Sequence, residues 1–290
     1  MGLKSNIILS GLFVVVWSSG FVGAKYGLAY AGPFTILFWR YLLVVLLLAV
    51  LVSVLRKWQA IPPRVLIRPL IVGGMAHAVW LSAVLGAINL GLSAGLTAFI
   101  TALQPILTGA LSARMTGEAV SPREWGGLAL GLLAVGIVIG DGIALGGAPI
   151  AYLLPFISVI AISIASLIDR KATNQGDNQA SLMLVTFWHS VASLIILMPM
   201  AFGFEGFQAT WNGELIFAII WLAVIVSVAA YGLMFLLLRR IPAAKVASLI
   251  YLSPPVTMVM AWLLFAETLT MAGIIGLIIA AIAISLTMKR

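Results

Sequence analysis

Apolar stretches about as long as a bilayer is thick recur ten times along this chain. A helix crossing ~30 Å of hydrocarbon needs roughly 20 apolar residues. Runs of that length fall near 6–24, 33–55, 67–90, 93–113, 123–140, 149–168, 180–203, 213–238, 245–265 and 270–288. The connections between them leave no room for a soluble domain. Only 8% of the 290 residues are charged and 63% are hydrophobic, so the chain cannot furnish a water-facing surface. In lipid every backbone polar group has to be satisfied internally, which helices do. The sequence therefore predicts an all-α polytopic membrane protein with ten transmembrane helices. Lys4, a following apolar stretch and Ala29–Ala31 imitate a cleaved signal peptide. The first segment has a place in the repeat described below, and is read as a retained span.

The basic residues orient the spans. Ten crossings put both termini on one side. That side receives Lys4, the group Arg56, Lys57, Arg64 and Arg68, then Arg114 and Arg123, Arg170 and Lys171, Arg239, Arg240 and Lys245, and finally Lys289 and Arg290, which is 14 of the 16 basic residues. Lys25 lies toward the opposite side and Arg40 within a span. Basic loops stay cytoplasmic, so both termini are expected in the cytoplasm. The net charge of +8 is thus accounted for by topology. It is not gathered on a soluble face, as a nucleic-acid partner would need. With no cysteine, the chain has no disulfide framework or thiolate metal site. The partners expected are the lipid bilayer and a small-molecule substrate.

The chain also repeats itself. At an offset of 149, Pro105 falls on Pro254, Thr108 on Thr257, Glu118 on Glu267, Gly127 on Gly276, and Phe38-Trp39-Arg40 on Phe187-Trp188-His189. Two units, 1–145 and 146–290, each with five helices, follow from this. Five is odd, so the second unit enters the membrane the other way up. Inverted repeats give a carrier two interconvertible arrangements, with a binding site near the midplane where corresponding helices are interrupted. Pro105, Pro254 and Pro255 remove backbone donors at repeat-related positions. They are read as hinges or kinks beside a cavity.

Candidate substrate-binding residues are Trp17, His77, Trp80, Gln104, Tyr231, Tyr251 and Ser253. His77 is an intramembrane histidine, a functional position by default, with the alternative of a neutral ring bonded to a neighbouring helix. Trp80 lies one turn on and offers a stacking wall. Trp17 is followed by Ser18 and Ser19 in the middle of the first span. Gln104 and its repeat mate Ser253 suit a zwitterion or a helix-to-helix bond. Tyr251 and Tyr231 each bring a ring and a hydroxyl. Lys25 reads as snorkelling to headgroups. Arg40 faces either a buried carbonyl or a substrate carboxylate. Glu118 and Glu267, near helix ends, read as braces for loops. Gly127, Gly131, Gly136 and Gly140 form small-xxx-small pairs, leaving monomer and weak dimer both open.

No Asp or Glu falls in the middle of a span. Ion-coupled carriers commonly keep an intramembrane carboxylate, so its absence points to facilitated diffusion. His77, which titrates near neutral pH, keeps proton coupling as an alternative. No catalytic set, cofactor motif or Walker-type sequence is present. Neither is the ring of carbonyls or charges that a channel filter needs.

Trp17-Ser-Ser-Gly, then Lys25, then Arg40 resembles the first repeat of the drug/metabolite transporter superfamily. A proline with a glutamate 13 residues later in both halves (Pro105 to Glu118 and Pro254 to Glu267) resembles the EamA-type module. Among members, the chain is most similar to the YddG-type exporters of aromatic and other amino acids. The resemblance implies ten helices in two inverted repeats around a central cavity, with helices 5 and 10 at the periphery. It also implies alternating-access export of amino acids or similar small metabolites across a bacterial inner membrane, with drug efflux as the alternative. The second half departs from the motif, carrying Ser166 and then Arg170-Lys171. The two halves are therefore not expected to contribute equally to the site.

Overall fold

The computed structural model describes residues 3–116, 122–144, 148–174, 181–238, 240–241, 246, 249–268 and 270–288. Of the residues discussed above, Glu118, Arg239, Lys245, Lys289 and Arg290 lie outside these. In chain order the helices are α1 (Leu3–Leu28), α2 (Pro33–Val54), α3 (Pro63–Asn89), α4 (Ala94–Thr101), α5 (Gln104–Thr116) and α6 (Pro122–Ala144). There follow α7 (Pro149–Asn174), α8 (Leu182–Glu205), α9 (213–238), α10 (Ser253–Phe265) and α11 (Met271–Met288). Among the described residues, α1, α2, α3, α7, α8 and α9 are long and apolar enough to cross a bilayer, and the others are shorter apolar helices. The protein is an all-α, multi-pass membrane protein.

The internal offset reappears in the architecture. The fourth span is two helices, α4 and α5, separated by a turn at Ala102 and Leu103. At an offset of 149 stands the turn at Tyr251 and Leu252, directly before α10. The sequence suggested kinks within continuous helices. Instead each helix stops, and Pro105 and Pro254 sit in the first turn of the next one. A proline lacks the N–H that a first turn cannot use anyway, so a break removes the conflict that a kink would leave. The third and eighth spans share another irregularity. α3 widens into π-helical turns over Gly74–Val79, and α9 over Trp221–Ala229.

Helix packing obeys the same exchange. α1 packs against α9 and α10, while its counterpart α7 packs against α3 and α5. α2 packs on α8, α4 on α10, and α6 on α11. At the last contact a Cβ on Gly276 would lie 2.6 Å from a Val138 methyl, so that pair of helices meets at a glycine. Of these, the α2–α8 and α6–α11 pairs map onto themselves, and the pairs made by α1 with α9 and α10 map onto those made by α7 with α3 and α5, when the halves are exchanged. This is the packing of two inverted five-helix repeats.

One end of the bundle is tied by acids. Glu205, the last residue of α8, accepts from the Phe34 and Thr35 N–H groups at 3.0 and 2.7 Å. Gly32 and Pro33, at the start of α2, have no side chain to cap these donors, and a carboxylate at a helix N-terminus also answers its dipole. The Thr210 N–H donates to the Tyr30 carbonyl at 2.8 Å, holding the two loops together. Close by in the fold's logic, Lys25 is ion-paired with Glu267, whose carboxylate also accepts from the Ala94 N–H at 3.4 Å. That pair joins the end of α1 to the loop after α10 and the start of α4. Glu205→Ala strips two donors and is expected to cost about 1–2 kcal/mol. Thermal unfolding of the purified protein should show the loss, with Glu205→Gln intermediate.

Candidate functional site

A cavity of about 660 Å³, its mouth included, lies among α1, α2, α3, α8 and α9. Its walls come from the middle parts of these helices. Trp17 and Trp80 face it with nearly parallel rings, 6.5 Å between centroids and 25° apart. Tyr231 meets Trp17 edge-on at 5.9 Å. His77 sits at the centre of an aromatic cluster: Tyr41 at 5.7 Å, His189 at 5.6 Å and Tyr231 at 6.1 Å. It is carried by the π-helical stretch of α3. Such bulges re-aim side chains and recur at functional sites.

The polar side of the cavity is built around Arg40, which is buried in α2. Its Nε donates to Ser227 Oγ at 3.0 Å, and Ser227 donates onward to the Leu222 carbonyl at 3.0 Å. The guanidinium lies 5.6 Å from the Tyr41 ring centroid. Ser190 and Thr186 complete the polar lining from α8. Among the described residues, no carboxylate lines the cavity, and no cluster of His, Cys, Asp and Glu is suited to a metal.

Four of the seven candidates from the sequence converge here: Trp17, His77, Trp80 and Tyr231. The other three sit elsewhere. Ser253 receives a bond from Ser18 Oγ at 3.1 Å, tying α1 to the break before α10. The Gln104 carbonyl accepts from Ser163 Oγ at 3.3 Å, joining α5 to α7 at the repeat-related place. Tyr251 is in the turn before α10, outside the cavity lining. Pro105 and Pro254 mark the breaks, and Pro255 follows in the same turn of α10. Arg40, Tyr41, Ser190 and Ser227 line the cavity without having been among the seven. For Arg40 the signal was available, as a lone cation in an apolar span.

A helical bundle of inverted halves around a cavity lined from both halves has the make-up of a membrane transporter. The EamA-like transporter family model matches the chain twice, over residues 4–140 and 149–289. The chain belongs to the EamA-like transporter family. It is similar to the probable amino-acid metabolite efflux pump of Salmonella typhimurium, at 27% identity over 95% of this chain and 92% of that protein. The protein of the same description from Escherichia coli strain K12 is 26% identical, with the same coverage. The uncharacterized inner membrane transporter YedA of Escherichia coli strain K12 is 25% identical over 88% of this chain and 81% of that protein. One solved crystal structure matches with a TM-score of 0.66 at 17% identity, covering 99% of this chain and 98% of its own, which bears on the fold alone.

Proposed function

We propose that the protein exports amino acids or closely related metabolites by alternating access, with the substrate held in the cavity between Trp17 and Trp80. The observation that carries this reading is the aromatic cavity at mid-helix depth, lined by helices of both halves and by no described acid. The likeness to the two probable amino-acid metabolite efflux pumps supports the substrate class. We take the units as 1–145 and 146–290 and the membrane as a bacterial inner membrane. The basic loops favour cytoplasmic termini. Substrate enters from the cytoplasm, and rocking of one half against the other exposes it outside. Without a carboxylate in the cavity to carry a cation, transport runs down the substrate's own gradient.

The test is flux of labelled phenylalanine in proteoliposomes. Counterflow exchange is expected, because a carrier shows it and an open channel does not. Flux should survive a protonophore; if it vanishes, His77 and the neighbouring His189 become the proton-coupling pair and the uncoupled reading is wrong. Trp17→Ala and Trp80→Ala should each lower flux about tenfold, in keeping with roughly 1.4 kcal/mol of lost ring contact.

A further inference from the structure

Arg40 is 5% exposed. Its Nε is held by Ser227 and its guanidinium carbon lies over the Tyr41 ring. The two terminal nitrogens bond no described group, and the residue lines the cavity. A buried cation is costly unless an anion answers it. No described carboxylate does so here. The guanidinium is thus anchored at Nε, lines the cavity, and has no described counter-charge. A guanidinium fork matches a carboxylate in a bidentate manner. A single cation suits a singly charged anion better than a phosphate. The remaining walls, including Trp17, Phe21, Trp80 and Leu81, suit an apolar or aromatic body.

The same geometry speaks about the other end of an amino acid. An ammonium group would enter a space with one fixed cation and no described acid. Its acceptors there are neutral hydroxyls such as Ser190 and Thr186. We infer that the cavity recognises its solute through the carboxylate, by way of Arg40, and does not require the α-amino group. The substrate class is therefore apolar monocarboxylates, of which amino acids are one kind and their deaminated or hydroxylated counterparts another. Amines and amides are excluded. This rests on the reading of the cavity as the transport site.

Binding to detergent-purified protein tests it without requiring flux. Phenylalanine, 3-phenylpropionate, phenylalaninamide and phenethylamine are titrated at neutral pH, following tryptophan emission. The two acids should bind within about threefold of each other. The amide and the amine should bind about tenfold or more weakly. Arg40→Gln should erase the preference for acids, Arg40→Lys should keep part of it, and Ser227→Ala should reduce it by loosening the guanidinium. The ligand series on the unaltered protein stands even where a variant fails to fold. Equal binding of acids, amide and amine overturns the inference, as does binding of phenylalanine without phenylpropionate, or of none of the four. Acid-selective binding with no phenylalanine flux in liposomes would overturn the transport reading and leave the inference standing. Flux with an indifferent ligand series would do the reverse.

Discussion

Gly73→Leu is expected to leave no properly folded protein in detergent extracts, and Gly73→Ala to lower thermal stability by about 1–3 kcal/mol. A Cβ at this position would lie 2.3 Å from the His189 Cα and 2.6 Å from its carbonyl oxygen. The obstacle is backbone, so no rotamer change relieves it. α3 and α8 approach this closely because Ser193 donates to the Gly73 carbonyl at 3.2 Å, and small residues let membrane helices reach such bonds. Gly136→Ala serves as the control. Nothing lies within 4 Å of its added methyl, and alanine is the better helix former. Size-exclusion profiles and melting curves of the three variants decide the matter. An unaltered Gly73→Ala protein would mean that the helices separate more freely than their contact implies.

The second large effect concerns the ion pair between Lys25 and Glu267. Lys25 and Glu267 side chains are 31% and 15% exposed, and the Lys25 ammonium also lies 4.8 Å from the Phe265 ring. The pair links the ends of helices that belong to different halves. Under the alternating access proposed above, such a pair would hold that end shut. Lys25→Met or Glu267→Gln should raise opening at that end about fivefold, equivalent to roughly 1 kcal/mol. The chain has no cysteine, so Phe21→Cys in the cavity supplies a single reporter thiol. An impermeant thiol reagent applied from that side should label it faster in either variant. The swap Lys25→Glu with Glu267→Lys should restore slow labelling. If neither single substitution changes the rate, the pair is a brace rather than a latch.

Much of this architecture was legible in the residues. Hydropathy marks where helices run, and Pro33, Ser93 and Ser181 mark where three of them start. The proline pair located both breaks, because a missing N–H costs nothing in the first turn of a helix. What hydropathy does not encode is rotation about each helix axis. Gln104 and Ser253 are polar residues at the right depth, yet the Ser253 hydroxyl is bonded to α1, Gln104 meets α7 through its backbone carbonyl, and neither lines the cavity. Only the tertiary packing decides which way they turn. Arg40 was visible as a cation in a span, but Ser227, which holds it, is 187 residues away in the chain. The wide turns of α3 and α9 left no compositional trace, since Gly74–Val79 and Trp221–Ala229 read as ordinary apolar helix. Glu205 looked like a loop acid. Its role depends on the start of α2 lying beside the end of α8.

Those wide turns carry a consequence of their own. Each accommodates a surplus residue that a regular α-helix of the same length has no place for. Side chains beyond the surplus are turned by roughly 100° relative to an uninterrupted rod. Trp80 and Leu81 on α3, and Tyr231 on α9, follow directly after such turns and line the cavity. Slack of this kind can travel along a helix one residue at a time, like a ruck along a carpet, with the rod's ends staying where they are.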